Sequence, residues 1–201
     1  MSKVISVLMF VMSFAGCFTS DSPTGIASDV GTGFFPLKIG DTWYYSRYWH
    51  GGQADTTLVT HIAAVIGTRV INTRESSVVL HRYLQGGGDS VWSADTSFYV
   101  VQADSLLSTY KDTAGYHFVV DAIFSLNKGD VFVREFGTGN NSVRYNVTVS
   151  EKNDSIMTFF YDSPQIIDEE HQVTYKKGAG IVDNYSTAWG IGEKLIRVEL
   201  K

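Results

Sequence analysis

Apolar and polar residues alternate along several short segments of the chain. In the segment "SVRYNVTVS", Val143, Tyr145, Val147 and Val149 fall on one face of an extended strand, and polar residues fall on the other. Alternation of this kind is typical of an antiparallel sheet that packs on one side only. In "KLIRVEL", near the end of the chain, the same rule predicts that Leu195 faces away from Val198.

Further β-like runs follow one another from residue 42, separated by turn signals such as "HGGQ" and "NKGD". They include residues 56–66, 91–95 and 97–102, whereas helical periodicity is weak throughout. The predicted fold class is therefore all-β, with a single antiparallel, strongly curved sheet. The pattern leaves a half-barrel, a barrel and a sandwich-like arrangement open, with little or no helix outside a signal peptide.

Composition supports strands joined by turns. Of the 201 residues, 13% are aromatic and only three are proline, a usage that favours sheets over helices. The formal net charge of −5 argues against nucleic acid or an anionic membrane surface as an electrostatic partner.

The first sixteen residues have the layout of a secretory signal peptide. Lys3 provides a positive start, and a mostly apolar stretch runs from Val4 to Phe14. A membrane-spanning helix needs about 20 apolar residues, so this stretch is too short for a permanent span. Residues 1–16 are predicted to be removed on export.

The end of this segment, Phe14-Ala15-Gly16-Cys17, resembles the lipobox of bacterial lipoproteins, and Cys17 is the chain's one cysteine. The resemblance implies that Cys17 carries a lipid and that the membrane is a partner through that lipid. Two or three acyl chains anchor a protein firmly. Phe18 replaces the aspartate that retains some lipoproteins in the inner membrane, so an outer-membrane location in the cell envelope is expected.

The rest of the chain divides into a tether and one domain. Residues 17–33, rich in Ser, Thr, Gly and Asp, predict a flexible tether, and residues 34–201 predict an antiparallel β domain. "PLKIGDTWYY" and "SLNKGDVFVR" share a Leu-x-x-Gly-Asp-x-aromatic pattern. This echo predicts two related β-meanders, 34–124 and 125–201.

Two motifs resemble those of a loosely defined group of small bacterial lipoproteins. These proteins open with Phe-Pro-Leu-x-x-Gly-x-x-Trp-x-Tyr and close with Gly-x-Gly-[Ile/Val/Leu]-Val. The matching residues are Phe35, Pro36, Leu37, Gly40, Trp43, Tyr45, Gly178, Gly180, Ile181 and Val182. The resemblance implies an exported antiparallel β domain and transfers no catalytic residue.

No residue pattern specifies a reaction, a metal site or a cofactor. The five histidines (His50, His61, His81, His117 and His171) form no metal-binding motif. The acidic "DEEH" at 168–171 is interpreted as a solvated loop. A hydrolase elbow motif is absent from the sequence, so the chain is predicted not to be an enzyme, although a hydrolase with paired carboxylates stays as a minor alternative.

The aromatic segment "TWYYSRYW" at 42–49 is the most distinctive feature. Trp43, Tyr45, Arg47 and Trp49 share one face and form the candidate ligand surface. Such a face can stack on sugar rings or an apolar ligand. Large aromatic side chains can also fill the interior of a curved sheet, and this second interpretation is the favoured one.

Three functional hypotheses follow. The leading one is a non-catalytic envelope binding or scaffold module of unknown partner, which needs a packed interior. The alternative is a carrier of a lipid or other apolar molecule, which needs an interior larger than its own side chains fill. The third is a glycan-binding module that uses strand 42–49, which needs Trp43 or Trp49 to be exposed.

Overall fold

A computed structural model describes residues 33–50, 52–85, 90–137 and 142–201. The predicted signal peptide 1–16, the lipid site Cys17 and nearly all of the predicted tether 17–33 lie outside the described residues. In the described part of the chain, no helix is both long and apolar enough to cross a membrane.

The described residues form twelve β-strands. In chain order they are β1 (Thr42–Trp49), β2 (His61–Ile71), β3 (Arg74–Leu84), β4 (Val91–Gln102), β5 (Ser105–Asp112), β6 (Gly115–Ile123), β7 (Val131–Phe136), β8 (Val143–Lys152), β9 (Ile156–Asp162), β10 (His171–Lys176), β11 (Gly180–Ser186) and β12 (Ile191–Glu199).

All twelve strands belong to one antiparallel sheet, in the order β6-β5-β4-β3-β2-β1-β12-β11-β10-β9-β8-β7. The first and last strands are neighbours at its centre, and β6 and β7 form its edges. The predicted all-β class with one curved antiparallel sheet is therefore confirmed. We call the end that holds residues 33–41 the entry end, and the end where β1 finishes at Trp49 the far end.

The sheet curves until its two edges approach each other, so that it is nearly closed into a barrel. In the described ranges no backbone ladder joins β6 to β7, and side chains connect them instead. Arg134 Nε on β7 donates to Asp121 Oδ1 on β6 at 2.9 Å. From inside the sheet, the Tyr161 hydroxyl donates to the Asp121 carbonyl at 2.7 Å.

The predicted alternation in β8 is confirmed, because Tyr145, Val147 and Val149 are all buried. The prediction for Leu195 and Val198 is wrong, since both pack against the same buried cluster. The register of β1 against β12 shifts between Tyr44 and Tyr45, where a bulge occurs. An extra residue in one strand reverses the facing of everything beyond it.

The echoed Gly-Asp patterns form two equivalent turns, one before β1 and one before β7. The Asp41 carboxylate accepts a hydrogen bond from the backbone N–H three residues earlier at 2.8 Å, and the Asp130 carboxylate does the same at 2.8 Å. Gly40 and Gly129 precede them with φ values of 97° and 91°, a conformation that glycine adopts without strain. The turn at Asp130 belongs to the segment that connects the two edge strands, β6 and β7.

Side chains of the domain itself fill most of the interior, including two from the segment before β1. Phe34 stacks on Phe124 with ring centroids 4.9 Å apart, and Phe35 stacks on Trp43 at 5.8 Å. Phe34 and Phe35 are each 6% exposed. The segment that follows the predicted tether is therefore part of the core.

The opening and closing motifs meet at this point. The Trp43 indole Nε1 donates to the Ala179 carbonyl at 2.6 Å, and the Tyr45 hydroxyl donates to the Ile181 carbonyl at 3.2 Å. Gly180 has φ +84°, and a Cβ there would lie 3.0 Å from Trp43 Nε1. Glycine avoids both the strain of this positive φ and the crowding of a Cβ against the indole, which gives the paired motifs a physical reason.

Candidate functional site

A cavity of about 230 Å³ lies inside the curved sheet, between the buried Phe35–Trp43 stack and the far end. Its lining mixes aromatic and polar side chains. The aromatic residues are Phe35, Trp43, Tyr45, Tyr83 and Tyr99, and the polar residues are His61, His81, Asp95, Ser97, Asn184 and Glu193. Ligand pockets typically combine an apolar wall with a few convergent polar groups.

Strand pairing brings the two histidines together. His61 is the first residue of β2 and pairs with Tyr83 on β3, while Ala63 pairs with His81. Residues two apart on a strand share a face, so His61 and His81 are diagonal neighbours on the inner face. Because side chains alternate between the two faces of a strand, two histidines that are twenty positions apart in sequence come together in one site.

The His61 ring lies between aromatic rings. Its centroid is 4.6 Å from the ring of Tyr83 and 5.2 Å from that of Tyr45, with interplanar angles of 17° and 22°. The His61 side chain is only 9% exposed. This stacking fixes the plane of the imidazole and hence the direction of both its nitrogens.

A hydrogen-bonded chain runs through the cavity wall. Glu193 Oε2 on β12 lies 2.9 Å from His61 Nδ1, and His61 Nε2 lies 3.0 Å from His81 Nδ1. Arg47 Nη2 lies 3.4 Å from the other Glu193 oxygen. At the end of this hydrogen-bonded series, His81 Nε2 is buried and has no partner among the described residues.

The surroundings of His81 and Glu193 determine which of these two side chains is charged. Burial, reinforced by the neighbouring His61, lowers the pKa of His81 to about 4, against the opposing effect of Asp95 and Glu193. Burial alone would raise the pKa of Glu193, but the hydrogen bond from His61, together with the positive charge of Arg47, brings that pKa below its usual value. At neutral pH, Glu193 is therefore an anion and His81 is neutral.

The structure separates the four residues of the predicted ligand surface. Trp43 and Tyr45 are buried, at 2% and 7% exposure, and line the cavity. Arg47 lies outside the cavity lining and forms an ion pair with Glu193, which belongs to that lining. Trp49 is 64% exposed and lies outside the lining. The strand thus runs from the core to the far end, and its two halves have different roles.

The far end carries three of the four tryptophans, all of them exposed. Trp49 ends β1, Trp92 is the second residue of β4 and Trp189 lies between β11 and β12. The Trp92 ring is 6.2 Å from the ring of Tyr83, which lines the cavity. Three exposed indoles therefore lie at the end of the sheet toward which the cavity lies.

Sequence reasoning missed His61, His81 and Glu193 as a group. The one available signal was the hairpin of β2 and β3, which places the two histidines on one face once its register is known. Glu193 lies 132 positions from His61, and no sequence pattern connects them. Within the described ranges, no group of three or more His, Cys, Asp or Glu side chains is placed to hold a metal ion.

The "DEEH" segment forms no such site either. His171 stacks on Tyr161 with centroids 4.5 Å apart, and its Nδ1 lies 3.1 Å from the Glu169 carbonyl. Its ring is thus accounted for by packing and a backbone contact.

Two solved structures are similar to this one. A Bacteroides fragilis protein described as a "putative exported protein" with a YmcC-like fold matches with a TM-score of 0.52 and 14% identity, covering 83% of this chain and 99% of that chain. A "putative lipoprotein" from Parabacteroides distasonis matches with a TM-score of 0.43 and 13% identity, covering 83% and 98%. No family model and no curated protein matches the chain. The first likeness shows the fold alone.

Proposed function

We propose that this chain is an exported lipoprotein, anchored in the outer membrane through a lipid on Cys17, whose β domain binds one small hydroxyl-bearing ring in the cavity. The sequence supports the anchor through the signal peptide layout and the lipobox resemblance. The Bacteroides fragilis neighbour is itself described as exported, which agrees with that part of the proposal.

The observation that carries the binding proposal is the composition of the cavity wall. The aromatic residues Tyr45, Tyr83 and Tyr99 line the cavity together with hydrogen-bonding groups at Asp95 and Asn184. A sugar ring has apolar faces and a rim of hydroxyls, so it matches a wall of this kind. A volume of about 230 Å³ is below the range of drug-sized ligands and is suited to one ring.

The filled interior favours binding over lipid transport. Phe34, Phe35 and Phe124 occupy the centre of the sheet, so a long apolar molecule would have to displace the core. The glycan hypothesis is retained in a changed form. The sugar ring would enter the cavity beside Trp43 and Tyr45, and it would not lie flat on the surface of strand 42–49.

The topology supports an orientation for this site. The described chain begins at the entry end, where the Gly33 carbonyl accepts a hydrogen bond from the Gly178 N–H at 2.6 Å. A lipid on Cys17 would lead to that end, and the cavity lies toward the opposite one. The proposed role is non-catalytic, namely recognition of a small ligand by a domain held at the membrane.

Filling the cavity is expected to abolish binding. Ser97 lines the cavity, so S97W places an indole in the space that the ligand needs. Saturation-transfer NMR on the full chain would use D-glucose, D-galactose, N-acetyl-D-glucosamine and myo-inositol as probes. We expect saturable binding of at least one ring to the natural sequence and a loss of at least about tenfold in S97W, the equivalent of about 1.4 kcal/mol.

T96W is the matched control. Thr96 is the preceding residue of β4 and is exposed on the opposite face, so binding should be unchanged there. Thermal unfolding of both variants checks that they fold. Absence of saturable binding to any ring, or equal binding in S97W and T96W, would contradict the proposal, and binding of octanoate alone would favour the apolar carrier.

A further inference from the structure

The direction of the hydrogen bonds in the cavity wall follows from the chemistry of Glu193, the first residue of the hydrogen-bonded series. Ionised Glu193 can only accept hydrogen bonds, so His61 Nδ1, at 2.9 Å, must carry a proton. A neutral imidazole has one donor and one acceptor nitrogen. Whenever the His61 ring is neutral, its Nε2 is then the acceptor.

The same reasoning extends to the next ring. In that state His61 Nε2, which lies 3.0 Å from His81 Nδ1, accepts from it, so the proton of neutral His81 is on Nδ1. His81 Nε2 is consequently a lone pair, and it is the atom without a partner. Of the three buried side-chain polar atoms that lack partners in the described ranges, it alone belongs to a residue of the cavity lining.

We propose that the Glu193–His61–His81 chain presents a hydrogen-bond acceptor to the ligand at His81 Nε2, and that the site selects a neutral ring whose hydroxyl donates to it. This inference rests on the proposed function. Asp95 faces His81 across the β3–β4 ladder and lines the same cavity, and its carboxylate supplies further acceptor oxygens. These acceptors match the hydroxyls of a sugar ring, and ionised Glu193 disfavours a carboxylate or phosphate ligand.

The substitution Glu193→Gln should reverse the direction of the hydrogen bonds from residue 193 to His81 while keeping the size of the side chain. Arg47 Nη2 faces Oε1 of Glu193 at 3.4 Å, so the amide oxygen of glutamine is held on that side. The amide NH₂ then faces His61 Nδ1 and donates to it. Both imidazoles switch tautomer, and His81 Nε2 becomes a donor that opposes the ligand hydroxyl.

The test is nitrogen-15 NMR of the histidine-labelled full chain at pH 8. We expect His61 and His81 to be protonated at Nδ1 in the natural sequence and at Nε2 in E193Q. Affinity for the ring that binds best among the four probes should fall about tenfold in E193Q. D-glucuronate should bind more weakly than D-glucose to the natural sequence.

E199Q is the control, because Glu199 lies on the same strand and its side chain is 48% exposed. It should change neither tautomers nor affinity. A proton on His81 Nε2 in the natural sequence, or an E193Q variant with unchanged tautomers and affinity, overturns the inference. If a ring still binds and S97W blocks it, the proposed function survives that failure. If no ring binds, both fail, whatever the tautomers.

Discussion

Trp43→Ala is expected to lower the free energy of unfolding by about 4 kcal/mol. Trp43 is 2% exposed and stacks on Phe35 at 5.8 Å, so the substitution leaves a large cavity. It also leaves the Ala179 carbonyl without the indole N–H that donates to it at 2.6 Å, and an unpaired buried acceptor adds to the loss. Urea unfolding followed by circular dichroism measures the difference.

Trp49→Ala provides a control of the same residue type on the same strand. Trp49 is 64% exposed, so its truncation should change the free energy of unfolding by no more than about 0.5 kcal/mol. Equal losses at Trp43 and Trp49 would contradict the division of β1 into a buried half and an exposed half.

Arg134→Met is expected to lower the free energy of unfolding by about 3 kcal/mol at pH 7. The ion pair of Arg134 with Asp121 connects the two sheet edges at 2.9 Å, and the side chains are 21% and 14% exposed. Removing the cation leaves a largely buried carboxylate uncompensated. Arg144→Met, at an exposed position of β8, should have little effect.

The pH dependence of this loss has a definite sign. Burial raises the pKa of Asp121, although Arg134 opposes it. A carboxyl group whose pKa is raised on folding costs stability as the pH rises from its unfolded value, about 3.9, through its folded value. Without Arg134 the pKa rises further, so the deficit of R134M should be smaller at pH 4 than at pH 7.

The double variant D121N/R134M separates charge from packing. If the stranded charge causes the loss, replacing Asp121 by asparagine should recover most of the stability at pH 7 and abolish the pH dependence. An equal deficit at both pH values would mean that Arg134 acts through packing of its stem alone.

The alternation of apolar and polar residues predicted the fold class, because a strand that packs on one face only needs apolar residues at every second position, as in β8. Boundaries were less accurate. Residues 56–60 were predicted as the start of a strand, but β2 begins at His61. Residues 91–95 and 97–102 were predicted as separate runs, yet β4 is continuous from Val91 to Gln102, because Asp95 and Ser97 face a polar cavity.

The site itself could not be read from the sequence for a related reason. Its members come from strands far apart in the chain, and their proximity depends on register. The bulge between β1 and β12 sets which residues of β12 face inward, and no composition signal marks it. The aromatic residues of β1 were visible, but burial decided that Trp43 belongs to the core and Trp49 to the surface.

Native mass spectrometry of the full chain, purified in mild detergent from the membranes of its own cell, tests ligand binding and anchoring together. We expect a native mass that exceeds the denatured mass by one small molecule. The denatured mass should equal that of residues 17–201 plus acyl chains. A native mass equal to the denatured mass would contradict a ligand-binding role, and an unmodified chain that still begins at Met1 would contradict the lipid anchor.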